Sequence, residues 1–211
     1  MKIAWDILTE IPVARGEEVQ LGLAGPVAGV HQNKVMVAGG ANFNGRMPWQ
    51  GGEKQYHDTI FLLKEAANRQ LKWEQPDVRL PEAIAYSACV STEQGIISLG
   101  GETANGPTNQ TFLLSLDSPE VRLIDLPRLP VALSSSGAAL CGSTVYLAGG
   151  QGTKGASQVF FALDLNDEST GWRKLPDLPV ACSHAVVVSQ HDGQQDCIYL
   201  IGGGYQTGPT S

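Results

Sequence analysis

The sequence predicts an all-β protein assembled from repeated four-stranded antiparallel units. Three observations carry that prediction. Glycine and proline are abundant, 25 and 12 of 211 residues, and they fall in clusters, which favours short elements joined by turns over long helices. Four apolar runs end in a double glycine: 35–40, 96–101, 145–150 and 198–203. Their second glycines, Gly40, Gly101, Gly150 and Gly203, are spaced by 61, 49 and 53 residues. An apolar residue followed by proline recurs at Leu80-Pro81, Leu129-Pro130 and Leu178-Pro179 with spacings of 49 and 49, after an earlier Ile11-Pro12. Two markers that agree on a period near 50 residues identify an internal repeat.

Each repeat reads as four strands in order. After the proline comes a small-residue strand, as in 86–90 or 184–188. A turn such as Cys141-Gly142-Ser143 leads into the apolar strand that ends in Gly-Gly. A loop then delivers the third strand, at 59–63, 111–114 and 158–163. The fourth strand carries tryptophan, as in Leu71-Lys72-Trp73-Glu74; Trp5 and Trp172 hold the same place, and the unit with Val121-Arg122-Leu123-Ile124 lacks it. This pattern resembles the kelch repeat, one blade of a β-propeller. The glycines suit a change of chain direction beside a crowded axis, and the Trp ring is expected to cover the next blade. Residues 63–69 contain helix-forming types but read as a loop between strands.

The expected domain is a single kelch β-propeller, incomplete in this chain. Residues 1–12 form a closing strand, 25–77, 78–127 and 128–177 are blades, and 178–211 is a partial blade. The expected whole is six-bladed, with these residues as its N-terminal part; a closed four-bladed ring is the alternative.

Composition narrows the function. Hydrophobic residues are 42% and charged residues 17%, enough for a packed core. A net charge of −7 disfavours nucleic acid, whose phosphates require clustered Lys and Arg. No apolar run reaches the length of a membrane span. The four cysteines, Cys89, Cys141, Cys182 and Cys197, have no zinc spacing; three sit in or beside apolar strand-like runs, and they read as buried free thiols, with a reactive or disulfide-bonded cysteine as the alternative. His31, His57 and His191 show no metal spacing either, and His184 reads as a core histidine in an apolar strand. Nothing in the sequence supplies a copper site of Tyr, Cys and His.

One stretch goes beyond the generic repeat. Residues 39–46 (Gly-Gly-Ala-Asn-Phe-Asn-Gly-Arg), 51–56 (Gly-Gly-Glu-Lys-Gln-Tyr), Ile60-Phe61-Leu62, Ala85-Tyr86 and 100–104 (Gly-Gly-Glu-Thr-Ala) resemble consecutive blades of the N-acetylneuraminate epimerase family, the sialic-acid mutarotases. The resemblance covers roughly residues 25 to 115. In that family these blades lie near the C-terminus, so their place here resembles the cyclically permuted mutarotase branch.

The resemblance implies an isomerase that interconverts the anomers of N-acetylneuraminate by acid–base ring opening. It needs no cofactor and no metal. Its partner is a small-molecule sugar acid, together with the remaining blades. The family's catalytic Glu and Arg lie six residues apart in a Gly-Glu segment. Here Glu102 follows Gly101, but Thr108 stands six residues on, so the pair is expected beyond residue 211. Ile84 stands where the family blade can carry Arg. The alternative function is a non-catalytic kelch module that binds a protein or glycan, and a lesser one is a structural domain of a larger enzyme. The expected compartment is the cytoplasm, or the periplasm if an upstream signal peptide was removed.

Candidate substrate-binding residues are Asn42, Arg46, Trp49, Lys54, Tyr56, Tyr86 and Glu102. In a kelch propeller the loops after Gly-Gly and before each first strand are expected to open on one face, the mouth; the loop 40–58 is the longest of these and holds the first five candidates, with Glu53 and His57. It reads either as the wall of a sugar site or as a loop packed on itself around Trp49. Arg46 offers a bidentate clamp for a carboxylate, or is an ordinary surface residue. Glu102 points at the same mouth, or bonds between blades. Tyr86 lines the channel, or packs structurally.

Overall fold

The computed structural model describes residues 3–66, 69–117 and 120–204. Three four-stranded antiparallel sheets follow one another along the chain. The first holds Val27–His31, Lys34–Ala38, Ile60–Glu65 and Leu71–Glu74. The second holds Ala88–Ser91, Ile96–Leu99, Thr111–Asp117 and Glu120–Asp125. The third holds Gly137–Cys141, Thr144–Ala148, Phe160–Asp164 and Arg173–Lys174. A two-stranded sheet of Val186–His191 and Asp196–Ile201 comes last. Each sheet pairs its strands in chain order, the up-and-down arrangement of β-propeller blades. The only helical turns among the described residues are the 3₁₀ segments Pro48–Gln50 and Glu168–Thr170.

Local sequence sets the hairpins. Between His31 and Lys34, Gln32 and Asn33 both take positive φ, +48° and +58°. Those angles at both central positions make the primed two-residue turn whose twist suits a hairpin. The second strand of each sheet alternates its side chains between two interfaces. Ile96 joins Val27, Met36, Ile60 and Phe112 between the first and second sheets. Its neighbour Ile97 joins Leu99, Val145, Leu147 and Phe161 between the second and third. With both faces covered, residues 96–99 are buried throughout.

Both sequence markers act at these interfaces. The second glycine of each pair donates its N–H to a carbonyl of the next unit: Gly40 to Ile84, Gly101 to Leu133 and Gly150 to Cys182, each at 2.8 Å. Each accepting residue lies three positions after the proline of a Leu-Pro marker. The marker leucines bind back to the preceding unit, Leu80 N–H to Asp58 O, Leu129 to Asn109 and Leu178 to Gln158. The first glycines have φ of +66°, +59° and +64° at Gly39, Gly100 and Gly149. A Cβ there would stand 2.4, 2.2 and 2.5 Å from the carbonyl oxygens of Ile84, Leu133 and Cys182. Handedness and space therefore both demand glycine.

The tryptophans cover the preceding unit, not the next one as the repeat pattern suggested. Trp172 sits in the interface between the second and third sheets, and its Nε1 donates to Pro127 O at 2.8 Å. Leu123, 49 residues earlier, packs in the equivalent place between the first and second sheets. Trp73 meets Phe61 edge-on, with ring centroids 6.4 Å apart, against Ile11, Ala14 and Leu23.

Residues 3–8, the expected closing strand, pair with no strand among the described residues, and Trp5, Ile7 and Leu8 are exposed. Other sequence expectations change in detail. Tyr86 and His184 precede their strands in left-handed turns instead of lying within them. His184 is exposed, so it is not a core histidine. Cys182 is buried, the other three cysteines are partly buried, and burial pushes the Cys89 thiol up to about 11.

Gly100→Ala or Gly149→Ala should lower stability by about 3 kcal/mol or more, because a strained φ adds to a backbone clash. Gly142→Ala, also left-handed but with open space around its Cβ, should cost only about 1–2 kcal/mol. Denaturant unfolding of the three variants checks the ranking.

Candidate functional site

The first three Gly-Gly pairs that end an apolar run each turn the chain out of the sheet into a short ladder at the mouth. In the first unit this ladder pairs Ala41–Phe43 with Lys54–Tyr56. Directly opposed residues share a face, so Tyr56 and Lys54 project with Ala41 and Phe43, while Asn42 and Gln55 project the other way. In the second unit Glu102 follows Gly101 and exchanges two backbone hydrogen bonds with Ala85, 2.7 and 2.9 Å long. Tyr86 comes next to Ala85.

Four candidate residues from two units meet here. Lys54 Nζ lies 2.9 Å from Glu102 Oε1, and the Tyr56 hydroxyl donates to the same oxygen. The Lys54 ammonium stands 4.9 Å from the Tyr86 ring centroid and 5.5 Å from that of Tyr56, within cation–π range of both. Glu102 Oε2 has no hydrogen-bond partner among the described residues. Gly25, left-handed at φ +58°, makes room for this arrangement, since a Cβ there would stand 2.4 Å from Tyr86 Cδ1.

The electrostatics follow from that geometry. Burial pushes the Glu102 carboxyl up, but the Tyr56 hydroxyl and the Lys54 ammonium outweigh it and hold the group below the usual carboxylate range. Burial pulls Lys54 down, yet the bond to Glu102 and its charge leave the ammonium above its ordinary value. Tyr56 is pushed up, first by burial and then by its bond to Glu102. At neutral pH the cluster is therefore a carboxylate, an ammonium and a neutral phenol.

The remaining candidates lie apart from this contact. Arg46 is exposed and lines, with Lys54, an open depression of about 610 Å³ floored by Gly51 and Gly52. Its guanidinium has no partner among the described residues. Trp49 is 81% exposed on its 3₁₀ turn, so it is not the core of its loop. Asn42 donates to Gly22 O at 3.1 Å on the opposite face of the ladder, where His57 Nδ1 lies 3.4 Å from Glu17 Oε1. Thr108, six residues after Glu102, donates its backbone N–H to Gly101 O. Among the described residues no three His, Cys, Asp or Glu side chains form a metal-ligating group.

The sequence profile of N-acetylneuraminate epimerase matches residues 1–123. The chain belongs to the N-acetylneuraminate epimerase family. An N-acetylneuraminate epimerase of Vibrio vulnificus (strain YJ016) is 32% identical over 128 residues, 57% of this chain and 33% of that protein. One from Brucella melitensis biotype 1 is 33% identical over 123 residues, 54% of this chain and 30% of that protein. The chain thus spans about a third of the length of the curated relatives it matches. The solved structure of YjhT shares the fold, with a TM-score of 0.62 at 14% identity over 86% of this chain and 70% of that one. All seven candidate residues fall inside the part matched by the family.

Ser135, Gln151 and His184 were not candidates from sequence, although they also reach the mouth. Their signal was the repeat itself: Ser135 and His184 stand 49 and 98 residues after Tyr86, and Gln151 stands 49 after Glu102.

The lowered Glu102 value has a definite sign. Its contribution to stability is full above the ordinary carboxylate range and is lost as pH falls through the lowered folded value. Glu102→Gln should flatten that part of the acid limb in denaturant titrations. The same variant should let Tyr56 ionise at lower pH than in the parent protein, read by ultraviolet absorbance of the tyrosinate.

Proposed function

We propose that this protein interconverts the anomers of N-acetylneuraminate, with Lys54, Tyr56, Tyr86 and Glu102 as part of its substrate site. The observation that carries the reading is the convergence of those four side chains from two units. Lys54 keeps donors beyond the one given to Glu102, and Arg46 lines the same depression unpaired. Two cations at one opening suit the carboxylate of a sugar acid.

Anomer exchange requires a base for the anomeric hydroxyl proton and an acid for the ring oxygen. Glu102 Oε2 is an ionised, unpartnered acceptor, fit to take the hydroxyl proton as the ring C–O bond breaks. Tyr56 is a neutral donor held against the other oxygen of the same carboxylate, so it can give a proton to the ring oxygen. Rotation of the freed carbonyl presents its other face, and the reverse transfers then close the ring: Tyr56 takes its proton back as the ring oxygen attacks, and Glu102 returns its own to the carbonyl oxygen. Tyr86 offers an aromatic face beside the Lys54 ammonium.

A second reading is a module that binds the sugar acid without chemistry. It is favoured because none of the Gly-Glu segments of this sequence is followed by Arg six residues after its Glu, the pair that the family resemblance implies for catalysis. In either reading we take 25–77, 78–127, 128–177 and 178–211 as successive blade units of one propeller domain. The four free thiols suit a reducing compartment, and we propose the cytoplasm. No helix of the described residues is long and apolar enough to cross a membrane.

Freshly dissolved N-acetylneuraminate, followed by NMR, separates the two readings. The whole protein should exchange the anomers faster than buffer does, and Glu102→Gln should slow kcat by about 100-fold or more. Lys54→Met should act mainly on KM. Binding without any acceleration would leave only the module reading.

A further inference from the structure

Four residues at one station of successive units share a rare backbone conformation. Gly25, Tyr86, Ser135 and His184 have φ of +58°, +58°, +51° and +59°. Side-chain-bearing residues seldom adopt it, and for one as bulky as Tyr it is a genuine outlier. A relay of backbone hydrogen bonds holds them there. Tyr86 N–H donates to Gly25 O at 2.7 Å, Ser135 N–H to Tyr86 O at 2.8 Å, and His184 N–H to Ser135 O at 2.8 Å. Each residue is thus tied directly to its counterpart in the preceding unit.

The relay bounds how far apart the backbone positions stand. Each bond keeps the two Cα atoms within about 6.7 Å of one another, so the Cα atoms of Tyr86 and His184 are at most about 13 Å apart. That is within reach of one extended sugar acid. The residue before each left-handed position also bridges to the residue after Gly-Gly: Ala85 to Glu102, Ser134 to Gln151 and Ser183 to Gly204. The station therefore presents Tyr86 with Glu102, then Ser135 with Gln151, then His184.

The fold makes little use of these polar groups. The side chains of Ser135 and Gln151 have no hydrogen-bond partner among the described residues, and both are partly exposed. His184 is exposed, with Nδ1 3.0 Å from its neighbour Ser183 Oγ.

We propose that Ser135, Gln151 and His184 continue the Lys54–Glu102 site around the mouth, where they hydrogen-bond the hydroxyl-bearing tail of the sugar acid. This rests on the sugar-acid reading given above. The three residues are specificity determinants: they take no part in proton transfer and select for a polyol tail.

The test is calorimetric titration of the whole protein with two ligands, N-acetylneuraminate and an analogue truncated to lack the tail hydroxyls. His184→Gly is the main variant, because glycine keeps the left-handed turn without strain while deleting the ring. His184→Asn is the second, since Asn also tolerates that conformation. The parent protein should bind the truncated analogue about tenfold more weakly than the full ligand. His184→Gly should lose about five- to tenfold on the full ligand and nothing on the truncated one. Lys54→Met should weaken both ligands alike. Equal tail preference in the parent and both His184 variants would overturn this proposal and leave the sugar-acid reading standing. A parent protein that binds neither ligand would overturn both.

Discussion

The structure depends on one repeated backbone contact between units. The second glycine of each pair gives its N–H to a carbonyl three residues past the next proline, at 2.8 Å in all three complete cases. The first glycine must be left-handed and bare for that approach, because its missing Cβ is where the same carbonyl sits. A sheet stacked on a sheet through side chains alone could slide. A backbone bond at a fixed position sets both the spacing and the rotation of one unit on the next. The Leu-Pro marker completes the clasp by anchoring the accepting segment to the unit before it.

The candidate site is built on the same contact. Gly-Gly ends the apolar strand and throws the chain into a short ladder at the mouth, so the residue after each pair has a fixed address. In the second unit that residue is Glu102, and the first unit's ladder brings Lys54 and Tyr56 to it. The three side chains are long and only partly buried, yet they share one carboxylate oxygen. Their cohesion across two units comes from the rigidity beneath them, while the open Oε2 and the unpaired Arg46 leave capacity for a ligand.

The repeat was legible because glycine and proline act through the backbone and leave a trace in spacing. The four strands per unit and the absence of long helices followed from it. The candidate site was partly legible: Lys54, Tyr56, Tyr86 and Glu102 come together, whereas Trp49 is in solvent and Asn42 faces the other side of its ladder. Alternation within a ladder decides that division, and it depends on register, which composition does not reveal. His184 was misread because a histidine beside an apolar strand usually belongs to it. Its left-handed turn is set by the bond to Ser135, a contact between units 49 residues apart in sequence. Trp172 was placed against the wrong neighbour for a similar reason, since the repeat gives its period but not the direction of stacking.

One ligand site is proposed to span the first two units at the mouth. Amide chemical-shift mapping of the isotope-labelled protein with N-acetylneuraminate addresses it most directly. The largest perturbations should fall at residues 54–56, 85–86 and 101–103 and saturate together with a single affinity. Perturbations confined to residues remote from this mouth, or none at all at saturating sugar acid, would contradict it.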